Sequence, residues 1–149
     1  MGSYFDIKKS NIVWKRHHEA KIFLDRKKDP LGLDIVCVTG YPLSYNKFLH
    51  HFNKQAVDAL VSRCRGIKGK LVLDIGCGTG RWCRYYSEKG AKVTGIDLSK
   101  SRLSDNRKRL PQVDFKVMSA DNLKFKSKTF DVVNSVVVLQ HIPLKHKEK

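Results

Sequence analysis

Acidic residues are scarce in this 149-residue chain: 14 Asp and Glu stand against 30 Lys and Arg, for a formal charge of +16. That excess keeps anionic partners in view, whether nucleic acid, a membrane surface or an anionic small molecule. Long apolar runs are also missing. None approaches the roughly 18 residues that cross a bilayer, so membrane insertion is not expected. Met1–Ser10 carries no apolar leader, which points to a cytoplasmic protein. Cysteine is sparse, with Cys37, Cys64, Cys77 and Cys83 only. No pair has C-x-x-C spacing, which argues against a zinc or redox site, and reduced, mostly buried thiols are expected. No Gly-x-x-x-x-Gly-Lys occurs, which excludes a P-loop. His18-Glu19 begins like a zinc-protease motif, but position 22 is Ile22, so no metal site is expected.

What remains is a chain with enough apolar residues, 41%, for a real core in one domain. Residues 1–44 read as an N-terminal extension or cap, with Asn11–Asp25 helical and Leu33–Val38 a short apolar strand or buried loop. Lys15, Arg16, Lys21, Arg26, Lys27 and Lys28 would make such a cap attractive to an anionic substrate. Residues 45–149 read as the main domain. A helix is predicted from Tyr45 to Arg65, because Phe48, Leu49, Phe52, Ala56, Val57, Leu60, Val61 and Cys64 recur at three- and four-residue steps and so share one face. Gly66 should end it.

From Lys70 onward short β runs alternate with helices. Strands are predicted at Leu71–Ile75, Lys92–Ile96, Val113–Met118 and Phe130–Val137, the last buried on both faces. Helices are predicted at Thr79–Lys89, at Ser99–Leu110 with Ser99 as N-cap, and from about Pro143. This alternation is the pattern of a parallel, doubly wound α/β sheet with helices on both faces.

The informative segment is Leu73-Asp74-Ile75-Gly76-Cys77-Gly78-Thr79-Gly80. A buried strand runs into three alternating glycines and then a helix. Glycines there permit a tight turn and close approach of a ligand to the backbone, and the helix N-terminus offers free N–H groups. The next strand ends in Gly95-Ile96-Asp97, where a carboxylate can accept both hydroxyls of a ribose. Two independent features thus point to an adenosine-type pocket at the carboxyl ends of adjacent strands. A nicotinamide site is disfavoured, because its third glycine would fall at Arg81.

These residues, with Val93-Thr94-Gly95-Ile96-Asp97-Leu98-Ser99, Ser119-Ala120-Asp121-Asn122-Leu123 and Phe130-Asp131-Val132-Val133 through Leu139-Gln140-His141-Ile142-Pro143, resemble the class I S-adenosylmethionine-dependent methyltransferases, of the group that includes small-molecule and lipid enzymes. The resemblance spans about residues 45–143. It implies a Rossmann-like sheet in the order 3-2-1-4 and S-adenosyl-L-methionine as cofactor. By the family's pattern, Gly76, Gly78 and Gly80, with Cys77 and Thr79 between them, line the methionine and ribose. Asp74 holds the methionine amino group, Asp97 the ribose, and Leu98 packs on adenine. Ala120 offers a backbone N–H to the adenine ring, and either Ser119 or Asp121 reaches its exocyclic amine. No catalytic residue is assigned; His141 is the candidate base.

The expected activity is methyl transfer to a small-molecule acceptor, with a non-catalytic cofactor-binding module or an RNA methyltransferase as alternatives. Arg107, Lys108 and Arg109 are expected far from the cofactor. Only four of the family's usual seven or so strands are present, so the fold reads as truncated, with strand four an open edge available for self-association.

Overall fold

A computed structural model describes residues 31–33, 41–139 and 142. Seven elements follow in order. Helix α1 spans Leu43–Arg63, strand β1 Leu71–Ile75 and helix α2 Arg81–Glu88. Strand β2 spans Lys92–Asp97, helix α3 Lys100–Arg109, and strands β3 and β4 cover Asp114–Val117 and Val132–Ser135. All strand pairs are parallel, in the order β3-β2-β1-β4.

Local chemistry explains the boundaries. Helix α1 contains no glycine or proline from 43 to 63 and follows Pro42. It closes where Gly66 takes a φ of 85° and donates its N–H to the Val61 carbonyl at 3.1 Å. Ser99 caps α3, accepting the Arg102 N–H at 3.4 Å, and Arg107, Lys108 and Arg109 fill its last turn, where cations suit the helix dipole.

The three helices share one face of the sheet. Val57 of α1, Trp82, Cys83 and Tyr86 of α2, and Leu103 and Leu110 beside α3 form one buried cluster with Val72, Val93 and Phe115. The opposite face buries Leu73, Ile75 and Ile96 under Met118, Ala120, Phe125, Phe130 and Val138, with the two phenylalanine rings edge to face at 4.9 Å. Gly95 of β2 is required by the first layer. A Cβ there would stand 2.8 Å from Cys83 Sγ and 2.9 Å from the Phe115 ring. Helix α1 is tied down by Asp58, which accepts from Tyr85 Oη at 2.5 Å and pairs with Lys54 at 2.7 Å and Lys89 at 3.4 Å.

Two expectations are corrected. The apolar residues of α1 do not share a buried face: Val57 is buried, but Phe48, Phe52 and Leu60 are exposed. The apolar positions span more than half of the helix circumference, and only the part facing α2 is covered. The expectation of mostly buried thiols holds among the described cysteines: Cys77 and Cys83 are buried, and Cys64 at the end of α1 is exposed. Strand β4 is shorter than Phe130–Val137 and is not buried on both faces. It pairs only with β1 among the described strands, and Val133 is 58% exposed. The expected helices at Asn11–Asp25 and from Pro143 lie outside the described residues. So do all of Leu33–Val38 except Leu33, which is helical and 2% exposed.

Candidate functional site

The carboxyl ends of β1 and β2 lie side by side, with Ile75 paired to Ile96, and the glycine turn leaves β1 at this point. Gly76, Gly78 and Gly80 all take positive φ, at 63°, 52° and 77°. Side-chain-bearing residues rarely adopt this conformation, so the turn depends on glycine. Gly80 is the N-cap of α2.

Asp97 completes the turn from the neighbouring strand. It accepts the Gly78 N–H on Oδ2 and the Ser99 N–H on Oδ1, each at 2.9 Å, and is 7% exposed. The two predicted features therefore meet: the acid at the tip of β2 holds the glycine turn after β1. A carboxylate has about four lone-pair sites, and these two amides use two of them. Two acceptor sites remain for a vicinal diol. Leu98 beside it is 49% exposed, an apolar surface next to the carboxylate. At the end of β3, Ser119, Ala120 and Asp121 are half-buried, and the Ser119 hydroxyl donates to the Asp121 carboxylate. The donor set at this end of the sheet fits the nucleoside part of S-adenosyl-L-methionine.

Asp74 is placed differently from these. Its side chain points to the helix side of the sheet and is 1% exposed. Asn134 Nδ2 donates to it at 2.6 Å from β4, and Cys83 Sγ lies 3.2 Å away on α2. Burial pushes its carboxyl up to about 6, although both neighbours pull it down. The structure thus puts Asp74 beneath the turn, not in the open crevice. Cys77 and Thr79 are also buried: Cys77 shares the helix-side cluster, and the Thr79 hydroxyl donates to the Leu31 carbonyl at 2.7 Å. The last contact brings a residue of the N-terminal extension onto the turn.

Two residues outside the predicted set hold the same loop. Asn106 of α3, fully buried, donates from Nδ2 to the Gly78 carbonyl at 2.9 Å. Arg109 donates from Nη2 to the Thr79 carbonyl at 2.8 Å. Arg109, expected far from the cofactor, instead reaches the glycine turn with its guanidinium. Helix α3 packs its second half against the turn, and a Cβ on Gly80 would come within 3.2 Å of Asn106 and Leu110. The sequence signal for Asn106 was available: an uncharged polar residue between Leu103 and Leu110 on the inward face of α3 needs a buried partner.

Beyond β4 the chain turns back over the glycine loop. Val137 has a φ of 61°, a strained conformation for a β-branched residue. Val138 then covers Gly76 so closely that a Cβ on that glycine would overlap its side chain. His141 and Gln140 lie outside the described residues. An open depression of about 450 Å³ lies at the other end of the sheet, lined by Leu71, Lys92, Gln112 and Asp114 among others. It contains none of the site groups. Among the described residues there is no cluster of three or more metal-ligating side chains, and no helix is long and apolar enough to cross a membrane.

A parallel sheet in this order, with a glycine turn after β1 and an acid ending β2, is the nucleoside-binding half of a Rossmann-like methyltransferase fold. Comparison with known proteins agrees. Residues 72–149 match the family model described as "Methyltransferase domain", and the chain belongs to that family. It is similar to the ubiquinone biosynthesis O-methyltransferase of Azoarcus sp., at 38% identity over 107 residues, covering 68% of this chain and 46% of the relative. The chain spans about half the length of the curated relatives it matches. Among solved structures, an S-adenosylmethionine-dependent methyltransferase from Mesorhizobium loti shares 33% identity over 49% of this chain and 35% of that one, with a TM-score of 0.47. A TehB-like S-adenosylmethionine-dependent methyltransferase from Corynebacterium glutamicum shares the fold, with a TM-score of 0.53 at 22% identity, over 72% and 63% of the two chains. The cofactor of this class is S-adenosyl-L-methionine.

Proposed function

We propose that this chain forms the cofactor-binding part of an enzyme that methylates a hydroxyl oxygen of a small molecule. The observation that carries the reading is Asp97, held by the Gly78 and Ser99 amides with acceptor capacity left for a ribose. The name of the similar Azoarcus protein, an O-methyltransferase, supports oxygen as the acceptor atom.

In this reading, Asp97 binds the ribose hydroxyls and Leu98 packs on the adenine face. Ala120 N–H reads the ring, with Ser119 or Asp121 at the exocyclic amine. Gly76 and Gly78 let the methionine end approach the backbone, next to Val138. Asp74 acts from below. It holds Asn134 and Cys83 and so fixes how β4 and α2 meet the turn. The bound cofactor supplies a sulfonium methyl group that is already activated for transfer. The chain's own contribution is alignment of acceptor and methyl. A hydroxyl acceptor must lose its proton, and His141, which follows β4 in sequence, is the proposed base.

Asp97→Ala tests the site. Titration calorimetry with S-adenosyl-L-homocysteine should show affinity at least about tenfold weaker in the variant, since it loses charge-assisted bonds to the ligand and the brace on Gly78. Unchanged affinity would overturn the assignment.

A further inference from the structure

The last residue of β4 carries a polar group that no contact explains. Side chains alternate across a strand. Along β1, Asp74 therefore faces the helices, whereas Leu73 and Ile75 face the other side of the sheet. Ser135 stands in register with Ile75 and shares that second face. Its hydroxyl oxygen is buried and has no hydrogen-bond partner among the described residues. A buried hydroxyl without a partner is costly, and native proteins keep few of them. Ile75 leads directly into Gly76, so Ser135 stands beside the point where the glycine turn begins.

The residues that follow Ser135 are shaped around the same place. Val137 has a φ of 61°, which a β-branched side chain adopts only under strain. The next residue, Val138, packs on the cluster that contains Ile75 and covers Gly76, where an added Cβ would stand 2.9 Å from Val138 Cγ1. No ligand atom can rest on the Gly76 backbone while Val138 is there. The acid of β1 cannot serve this place from its own position. Asp74 Oδ1 accepts from Asn134 and Oδ2 from Cys83, both on the helix side of the sheet. Asn134 is engaged by the same contact.

We propose that Ser135 binds the amino-acid end of S-adenosyl-L-methionine, in the place over Gly76 that Val138 fills. The inference rests on the methyl-transfer reading and gives Ser135 the role that the sequence pattern assigned to Asp74. A serine hydroxyl both donates and accepts, so it suits an end group that carries a carboxylate and an ammonium, and a hydrogen bond to either ion is charge-assisted. Return of Val137 to a negative φ draws Val138 off the glycine and relieves the strain. Ligand entry thus exchanges a strained apolar contact for a hydrogen bond to a buried hydroxyl.

The test is calorimetry of the full chain with two ligands: S-adenosyl-L-homocysteine, which carries the amino-acid end, and 5′-methylthioadenosine, which lacks it. Ser135→Ala should bind the first about tenfold more weakly and the second unchanged. Its thermal midpoint without ligand should be no lower than that of the wild type, because alanine removes a hydroxyl that had no partner. Val138→Ala should bind S-adenosyl-L-homocysteine several-fold more tightly, again with 5′-methylthioadenosine unchanged. An unaltered ratio of the two affinities in Ser135→Ala would overturn the proposal. So would a parallel fall in both affinities together with a lower midpoint, which would make Ser135 a purely structural residue. Val138→Ala binding S-adenosyl-L-homocysteine no more tightly than wild type would overturn the shared place. Binding of neither ligand by the wild type, or Asp97→Ala with unchanged affinity for both, would instead overturn the methyl-transfer reading itself.

Discussion

Asn106 of α3 donates a 2.9 Å hydrogen bond to the Gly78 carbonyl, linking the glycine turn to a helix 28 residues further along the chain. Both partners are buried. Asn106→Ala leaves that carbonyl without its donor and opens a small gap beside Gly80. A loss of about 1–3 kcal/mol in stability is expected, read as a fall of several degrees in thermal midpoint. Affinity for S-adenosyl-L-homocysteine should fall in parallel, although Asn106 touches only the loop. A variant of unchanged midpoint and affinity would show that the turn is held by other contacts.

Gly95 offers a steric test of the helix-facing layer. Its φ is not in the positive range, so alanine is conformationally acceptable there and only space is at issue. A methyl group would press on Cys83 and Phe115, each under 3 Å away. Gly95→Ala should destabilise by about 1–3 kcal/mol through overpacking. Adding Phe115→Leu should recover part of that loss in chemical denaturation, because the ring is one of the two obstacles.

Asp74 gives the pH dependence. Its folded-state carboxyl lies at about 6, above the value of about 4 for an unfolded chain. Between those values the folded state keeps a proton that the unfolded state has released. The Asp74 contribution therefore falls as pH rises from about 4 to about 6, and is constant outside that window. Asp58, lowered to about 2 by Lys54 and Tyr85, acts in the opposite sense at lower pH: its stabilisation is lost as pH falls from about 4 toward 2. Asp74→Asn removes the first dependence only. Denaturation of both proteins across pH 4–7 should give a difference in stability that grows in favour of the variant up to about pH 6 and then levels off. A flat difference would show that the carboxyl titrates normally.

The strands were legible because each is short, apolar and bounded by turn residues. Leu71–Ile75 matches the predicted bounds, and β2 gains only Asp97. The glycine turn and Asp97 were legible because a ligand-binding turn leaves its mark within a few consecutive residues. The burial of α1 was not. Periodicity identifies an apolar face but not which part of it meets another element, and Val57 and Phe52 look alike in sequence. Arg109 was missed because strand-to-helix topology places it by its distance along α3, whereas its long side chain returns to the Thr79 carbonyl. Strand β4 was overextended because its valine run continues into Val136–Val138, where Val137 takes a positive φ and leaves the sheet.

The Asp74–Asn134 contact has a further consequence for assembly of the sheet. The two residues occupy matched positions on β1 and β4, in a stretch that is otherwise valine, leucine, isoleucine and serine. Aliphatic strands slide past one another at little cost, but these cannot: sliding β4 by one position would set a valine or serine opposite the buried acid and strand an amide in the wrong layer. The pair works as a key that admits a single alignment, so the last strand either docks correctly or does not dock.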